Sequence, residues 1–327
     1  MNRIRYSFVI PVFNERETLP ELHQRLSQVI DGLDGEAELL FVDDSSYDGS
    51  DELLAELRRR DPRVRVLTFA RNFGHQVAIT AGLDHAAGDA VIVMDADLQD
   101  PPEVVPDLIA RWQEGYEVVY AVRRQRSGES WLKRRTAAWF YRLLRWIAHT
   151  EMPLDAGDFR LIDRRAVDAF RRMRERARYV RGMISWVGFR QIGVPYDRAE
   201  RYAGEPKYSY RKSLALAVDG LVSFSNAPLR LALMAGFLFS SLAFLVGVFA
   251  IVAKLSGAFT VPGWASILVV ISFLGGIQLT LMGMLGLYVG RIYEEVKARP
   301  IYILRDDDVP VVEAPGLVAD QSSLPAG

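Results

Sequence analysis

Two aspartates one residue apart, Asp95 and Asp97, close the apolar run A-V-I-V-M and are followed by Gln99, Asp100 and a Pro-Pro pair. In an extended segment residues i and i+2 point the same way, so both carboxylates can face one ligand at a strand's end. Hard oxygen donors in that arrangement suit Mg²⁺ or Mn²⁺ shared with a substrate's phosphates. Taken alone, a D-x-D also fits a solvated turn. Three more polar clusters follow short apolar runs in the same way: Asn14-Glu15 after residues 6–12, Asp43-Asp44 after 38–42, and Arg71 after 64–69.

The elements that must position these clusters alternate along the chain. Strands are expected at residues 6–12, 38–42, 64–69, 90–94 and 117–121. Thr18-Leu19-Pro20-Glu21 has the form of a capping box opening the first helix, and later helices begin near Ser50, after Gly74-His75 and at Pro102. Such alternation predicts an α/β fold, a mostly parallel, Rossmann-like sheet with helices on both faces. Ligands of these sheets lie outside the carboxyl ends of the strands, where all four clusters fall. The first strand's turn lacks G-x-G-x-x-G, and G-x-x-x-x-G-K-[ST] is absent, which argues against dinucleotide and P-loop chemistry. Carboxylates reading a base and ribose, with a diphosphate held through a metal, remain.

The chain contains no cysteine, so disulfides, thiolate metal sites and a cysteine nucleophile are excluded. Its four histidines form no H-x-x-H or H-E-x-x-H pattern. A net charge of −1 conceals an asymmetry: residues 1–122 carry 11 Lys+Arg against 23 Asp+Glu, whereas residues 123–212 carry 23 against 10. An acidic lobe beside a basic one fits a metal-nucleotide site next to a surface that meets anions. Between Arg123 and Trp146 the cations interleave with Trp131, Trp139, Phe140 and Tyr141. A helix of that composition can lie in the headgroup layer of a membrane.

No charge occurs in residues 231–253 or in 255–290. A helix of about 20 apolar residues crosses the hydrocarbon layer, so two spans are expected, with Pro262-Gly263 marking their turn. Arg211, Lys212 and Arg230 precede the pair, and Arg291, Lys297 and Arg299 follow it, which places both ends in the cytoplasm. The resulting organisation is a cytoplasmic domain over 1–207, an interfacial helix over 208–228, a two-span hairpin over 229–290, and a cytoplasmic segment with a disordered tail over 291–327.

V-P-V-F-N-E, V-D-D-S-S-Y-D-G, R-N-F-G-H-Q and D-A-D-L-Q-D-P-P together resemble the family 2 glycosyltransferases of GT-A fold, specifically the polyprenyl-phosphate glycosyltransferases. The resemblance implies that Pro11, Val12, Asn14 and Glu15 line a nucleoside pocket, and that Asp43 and Asp44 contact the base or ribose. It implies that Arg71, Asp95, Ala96, Arg123, Arg135, Arg201 and Lys207 complete the substrate contacts, and that Asp95, Asp97 and Gln99 surround Mg²⁺ or Mn²⁺. Asp158, in Gly157-Asp158-Phe159-Arg160, corresponds to the aspartate placed near the acceptor. The resemblance also implies that Lys207 lies in a loop that closes over the diphosphate, although Pro206 stands where the family usually has serine.

The implied reaction is inverting transfer of a hexosyl group, with UDP-hexose favoured as donor and a polyprenyl phosphate as acceptor, at the plasma membrane. The implied partners are the nucleotide sugar, the lipid acceptor and membrane lipid, with no nucleic acid. Hairpins of several protomers could pair, so a homo-oligomer is compatible. Transfer to another lipid such as diacylglycerol, or a non-catalytic nucleotide-sugar sensor or scaffold, are the alternatives.

Overall fold

The computed structural model describes residues 4–124, 156–176, 178–197, 227–256 and 263–305. In chain order its elements begin with β1 (Ile4–Val12), α1 (Leu19–Asp31), β2 (Glu36–Asp43), α2 (Ser50–Arg60), β3 (Val64–Thr68) and α3 (His75–His85). β4 (Ala90–Val93) then leads through a 3-10 turn (Pro102–Val104) into α4 (Val105–Gln113) and β5 (Val118–Arg123). β6 (Ala156–Asp163), α5 (Arg164–Arg172), α6 (Val180–Trp186) and β7 (Gln191–Tyr196) complete the domain. Two long helices, α7 (Ala227–Leu255) and α8 (Trp264–Val296), follow.

The strands form one sheet in the order β3-β2-β1-β4-β6-β5-β7. All pair in parallel except β6, which is antiparallel to both neighbours. Period-two alternation divides the core. Phe8, Ile10, Leu39, Phe41 and Ile92 face α1, α2 and α4, whereas Val9, Leu40, Val42, Val91 and Val93 face α3, α5 and α6. Strands buried on both faces are largely apolar, which is why the first five are legible as mostly apolar runs despite Glu38 in β2 and Arg65 in β3. β6 and β7 escape that reading. β6 carries Asp158 and Arg160 within its length, and β7 is interrupted by Gly193 and Pro195. Helix α3 lies close on β1: a methyl group on Gly82 would sit 2.1 Å from Val9 Cγ1.

Thr18 stands at the N-cap of α1, but its side chain caps nothing. The hydroxyl instead donates to the Glu15 carbonyl oxygen at 2.9 Å, and Thr18 N and Leu19 N donate to that same oxygen. The expected capping box therefore does not form, because the preceding turn supplies the acceptor and Pro20 offers no N–H.

Helices α7 and α8 coincide with the two charge-free stretches, and Phe239 meets Phe273 edge to face at 6.1 Å. Among the described residues, Phe273–Val296 is the stretch long and apolar enough to cross a membrane, and none of it is buried. The basic-aromatic segment beyond Arg124, residues 208–226 and the tail after Arg305 lie outside the described residues.

Candidate active site

β6 begins where the parallel strands end, so its first residues join their carboxyl-terminal edge. Val93 pairs with Arg160, and the same antiparallel register carried two residues further sets Asp95 opposite Asp158. His75, the first residue of α3, stands between them. Its Nε2 lies 3.4 Å from Asp95 Oδ1 and 3.3 Å from Asp158 Oδ2. One donor atom from each of the three lies within 4.8 Å of the others, a nitrogen-oxygen set that could hold a divalent ion. Asp95 Oδ1 is buried and accepts no hydrogen bond. Burial pushes the Asp95 carboxyl up to about 7, against the pull of the neighbouring His75. An added positive charge would relieve this orphaned oxygen, so the donor set fits a metal.

Asp158 is engaged on its other side by Arg181 of α6. Arg181 Nε donates to Oδ1 at 2.7 Å and Nη2 to Oδ2 at 2.8 Å, the paired geometry that makes guanidinium–carboxylate contacts strong and directional. Burial works against ionisation of Asp158, but the Arg181 and His75 contacts prevail and hold its carboxyl well below the usual range. For His75, burial disfavours the charged ring, while the hydrogen bond to Asp158 and the charge of Asp95 outweigh it and raise its pKa. Beneath this group Arg160 is buried and donates to the Gly157 carbonyl at 2.7 Å.

The other side of the edge is built from three cross-tied loops. Asn14 has a left-handed backbone (φ 55°). Its N–H donates to Ser46 Oγ and its Oδ1 accepts from Tyr47 N, both at 3.0 Å. Glu15 N donates to Ser50 Oγ at the start of α2. Asp44 clamps the third loop by accepting from Phe73 N at 2.6 Å and Gly74 N at 2.9 Å. Gly74, at φ 96°, supplies a turn that a side chain would strain. Asp43 is fully buried; Oδ1 accepts from Ser46 N, whereas Oδ2 has no hydrogen-bond partner. Burial also pushes its carboxyl above the ordinary value.

The family model described as glycosyl transferase family 2 matches residues 7–171. An uncharacterized glycosyltransferase of Bacillus subtilis (strain 168), YkcC, is 50% identical over 302 residues, covering 92% of this chain and 94% of the relative. The chain belongs to glycosyl transferase family 2. The glycosyltransferase is also similar to the SfII prophage-derived bactoprenol glucosyl transferase of Shigella flexneri, at 44% identity over 92% of this chain and 98% of the relative. Among solved structures, mannosyl-3-phosphoglycerate synthase from Rubrobacter xylanophilus is 18% identical, at a TM-score of 0.47 over 67% of this chain and 73% of that one.

Within this glycosyltransferase the residues expected from sequence divide into three groups. Pro11 and Val12 at the end of β1, Asn14, Glu15, Asp43, Asp44, Arg71, Asp95, Ala96 and Asp158 all reach the same edge. Asp97 folds back, with Oδ1 accepting from Gln99 N at 3.2 Å, and the three-residue donor set joins Asp95 to His75 and Asp158 without Asp97. Arg71 lies over the Phe73 ring at 4.1 Å. Arg123 ends β5 opposite Tyr196, with its Nε buried and unpaired; Tyr196 in turn donates its hydroxyl to Asp100. Arg135, Arg201 and Lys207 lie outside the described residues. His75 and Arg181 were not anticipated. His75 was visible within R-N-F-G-H-Q, but nothing in the sequence marks Arg181, 23 residues beyond Asp158.

Proposed function

We propose that this glycosyltransferase moves a hexosyl group from a nucleotide sugar, with UDP-glucose as donor, to a polyprenyl phosphate at the cytoplasmic face of the plasma membrane. The observation that carries the acceptor is likeness along 92% of the chain to proteins named bactoprenol glucosyl transferases. An acceptor phosphate oxygen attacks the anomeric carbon, the bond to the diphosphate breaks, and the nucleoside diphosphate leaves with the electron pair. Attack opposite the leaving group inverts that carbon.

A phosphate monoester with a second pKa of about 6 is already largely dianionic near neutrality, so no general base is required. Asp158 then has no proton to carry. It fixes Arg181, whose Nε and Nη2 it engages, leaving Nη1 for an oxygen of the acceptor phosphate. Asp95 is common to the D-x-D set with Asp97 and Gln99 and to the cluster with His75 and Asp158, so Asp95 would be the main ligand for Mg²⁺ or Mn²⁺. The bound ion would stabilise charge on the departing diphosphate, and Lys207 would add to it. Asp43, Asp44 and Asn14 shape the nucleoside end.

Helix α8 crosses the membrane in this reading and α7, 29 residues long, makes the second crossing. The basic-aromatic segment from Arg123 to Trp146 draws the catalytic domain to anionic headgroups. The test is incubation of purified protein and undecaprenyl phosphate with a panel of UDP- and GDP-sugars, with and without Mg²⁺ or Mn²⁺. A hexosyl-phosphoryl lipid identified by mass is expected from UDP-glucose; no transfer from any donor overturns the reading.

A further inference from the structure

Beyond α8 the chain returns to the catalytic domain and forms an isolated antiparallel bridge just past the end of β3. Leu304 pairs with Phe69, Ala70 N donates to the Ile303 carbonyl at 2.9 Å, and Arg305 N donates to the Thr68 carbonyl at 2.7 Å. The return is anchored on one face. Tyr302 stacks on Phe69 with ring centroids 5.5 Å apart, its hydroxyl donates to Asp84 Oδ2 at 3.1 Å, and Leu304 packs beside it. Just before it, Glu295 Oε1 accepts from Arg176 N at 2.7 Å.

The pairing fixes which way the last described residue points. Leu304 opposite Phe69 puts Arg305 opposite Thr68, and Thr68 is paired with Asp43. Residues in one row across a sheet share a face. Leu67, Phe69, Tyr302 and Leu304 pack on the α3 side, so Thr68, Arg305 and Asp43 occupy the opposite side. Two strand spacings, about 10 Å, separate Arg305 from Asp43. Arg305 is exposed, and its guanidinium has no hydrogen-bond or ion-pair partner among the described residues. Its charge nonetheless acts on the Asp43 carboxyl, opposing the upward push of burial there. At the other end of this row Asp43 Oδ2 is buried and has no hydrogen-bond partner.

We infer that Arg305, delivered by the bridged segment that follows the apolar helix, is a specificity-determining residue of the nucleotide pocket, donating to a carbonyl oxygen of a base whose ring N–H is accepted by Asp43. Uracil and guanine each present a ring N–H beside a carbonyl oxygen; cytosine presents a bare ring nitrogen there, which a carboxylate cannot satisfy. An acceptor at Asp43 with a donor reaching in from Arg305 along the same row therefore selects imide-type bases. This rests on the sugar-nucleotide reading above, and it makes the nucleotide site depend on a segment that lies beyond the apolar helix in sequence.

The test is calorimetric titration of the full chain in detergent with UDP, GDP and CDP, for the parent and for Arg305→Ala, Arg305→Lys and Arg305→Glu. The parent should bind UDP or GDP more tightly than CDP. Arg305→Ala should lose about tenfold, near 1.4 kcal/mol, on the preferred nucleotide and less than twofold on CDP, Arg305→Glu should lose more, and Arg305→Lys should recover part of the loss. A thermal midpoint unchanged in Arg305→Lys keeps the comparison valid should the other variants fold poorly. Parent-like UDP and GDP affinity in Arg305→Ala, or equal losses on all three nucleotides, overturns the assignment of Arg305 alone. A parent chain that binds none of them overturns the sugar-nucleotide reading with it.

Discussion

At the residue scale the site depends on one carboxylate held from two sides. Asp158 is gripped by Arg181 through two hydrogen bonds and touched by His75, so neither its position nor its ionisation is independent of them. Groups acting as one unit give non-additive losses. Asp158→Asn and Arg181→Gln should each lower kcat by roughly 100-fold, the size typical of losing a placed electrostatic partner. The double variant should be little worse than either single one, and the donor KM should move little. Steady-state kinetics with a saturating lipid acceptor reads this; losses that multiply would show that the two side chains act separately.

At the element scale the loops at the sheet edge are held by backbone N–H groups bonded to side chains, and the same device secures the far edge. Asp61, just after α2, accepts from Arg63 N and the Arg63 guanidinium and meets His23 at 3.0 Å. The hydrogen bonds from Arg63 lead in holding its carboxyl down to about 2, with burial opposing. A depressed acid contributes stability that is fully present above its unfolded value of about 4 and is lost as pH falls through the folded value. Asp61→Asn should therefore cost about 2 kcal/mol at neutral pH. In urea unfolding the gap between parent and variant should narrow as pH drops from about 5 toward 3, and a gap independent of pH would contradict the ion-pair account. The cost arises because α2 and β3 would lose the clamp that joins them.

At the scale of the whole molecule, a catalytic domain with a two-faced core is joined to helices whose described residues are mostly exposed. Phe273–Val296 is largely apolar and none of it is buried, a surface far larger than a soluble monomer leaves to water. The glycosyltransferase should sediment with membranes and resist carbonate extraction. Because the chain has no cysteine, single substitutions report topology without background. Under the hairpin reading, Ser256→Cys should react with an impermeant maleimide added outside intact cells, and Ala298→Cys only after permeabilisation. Labelling of neither or both from outside would overturn the double crossing.

The sequence by itself determined the first five strands, because strands buried on both faces are mostly apolar runs, and their polar ends then fall on one edge. It determined the family as well, since Asn14-Glu15, Asp43-Asp44 and Asp95-x-Asp97 are contiguous motifs. Only the tertiary structure decided that β6 runs backwards between β4 and β5, since a strand with charged residues inside it has no one-dimensional signature. That reversal brings Asp158 opposite Asp95 and lets α6 reach it with Arg181. The return of Arg305 to the row of Asp43 was decided in the same way. Pairing of residues 235 positions apart, Phe69 with Leu304, is a property of register and sheet edge, which no local pattern of residues encodes.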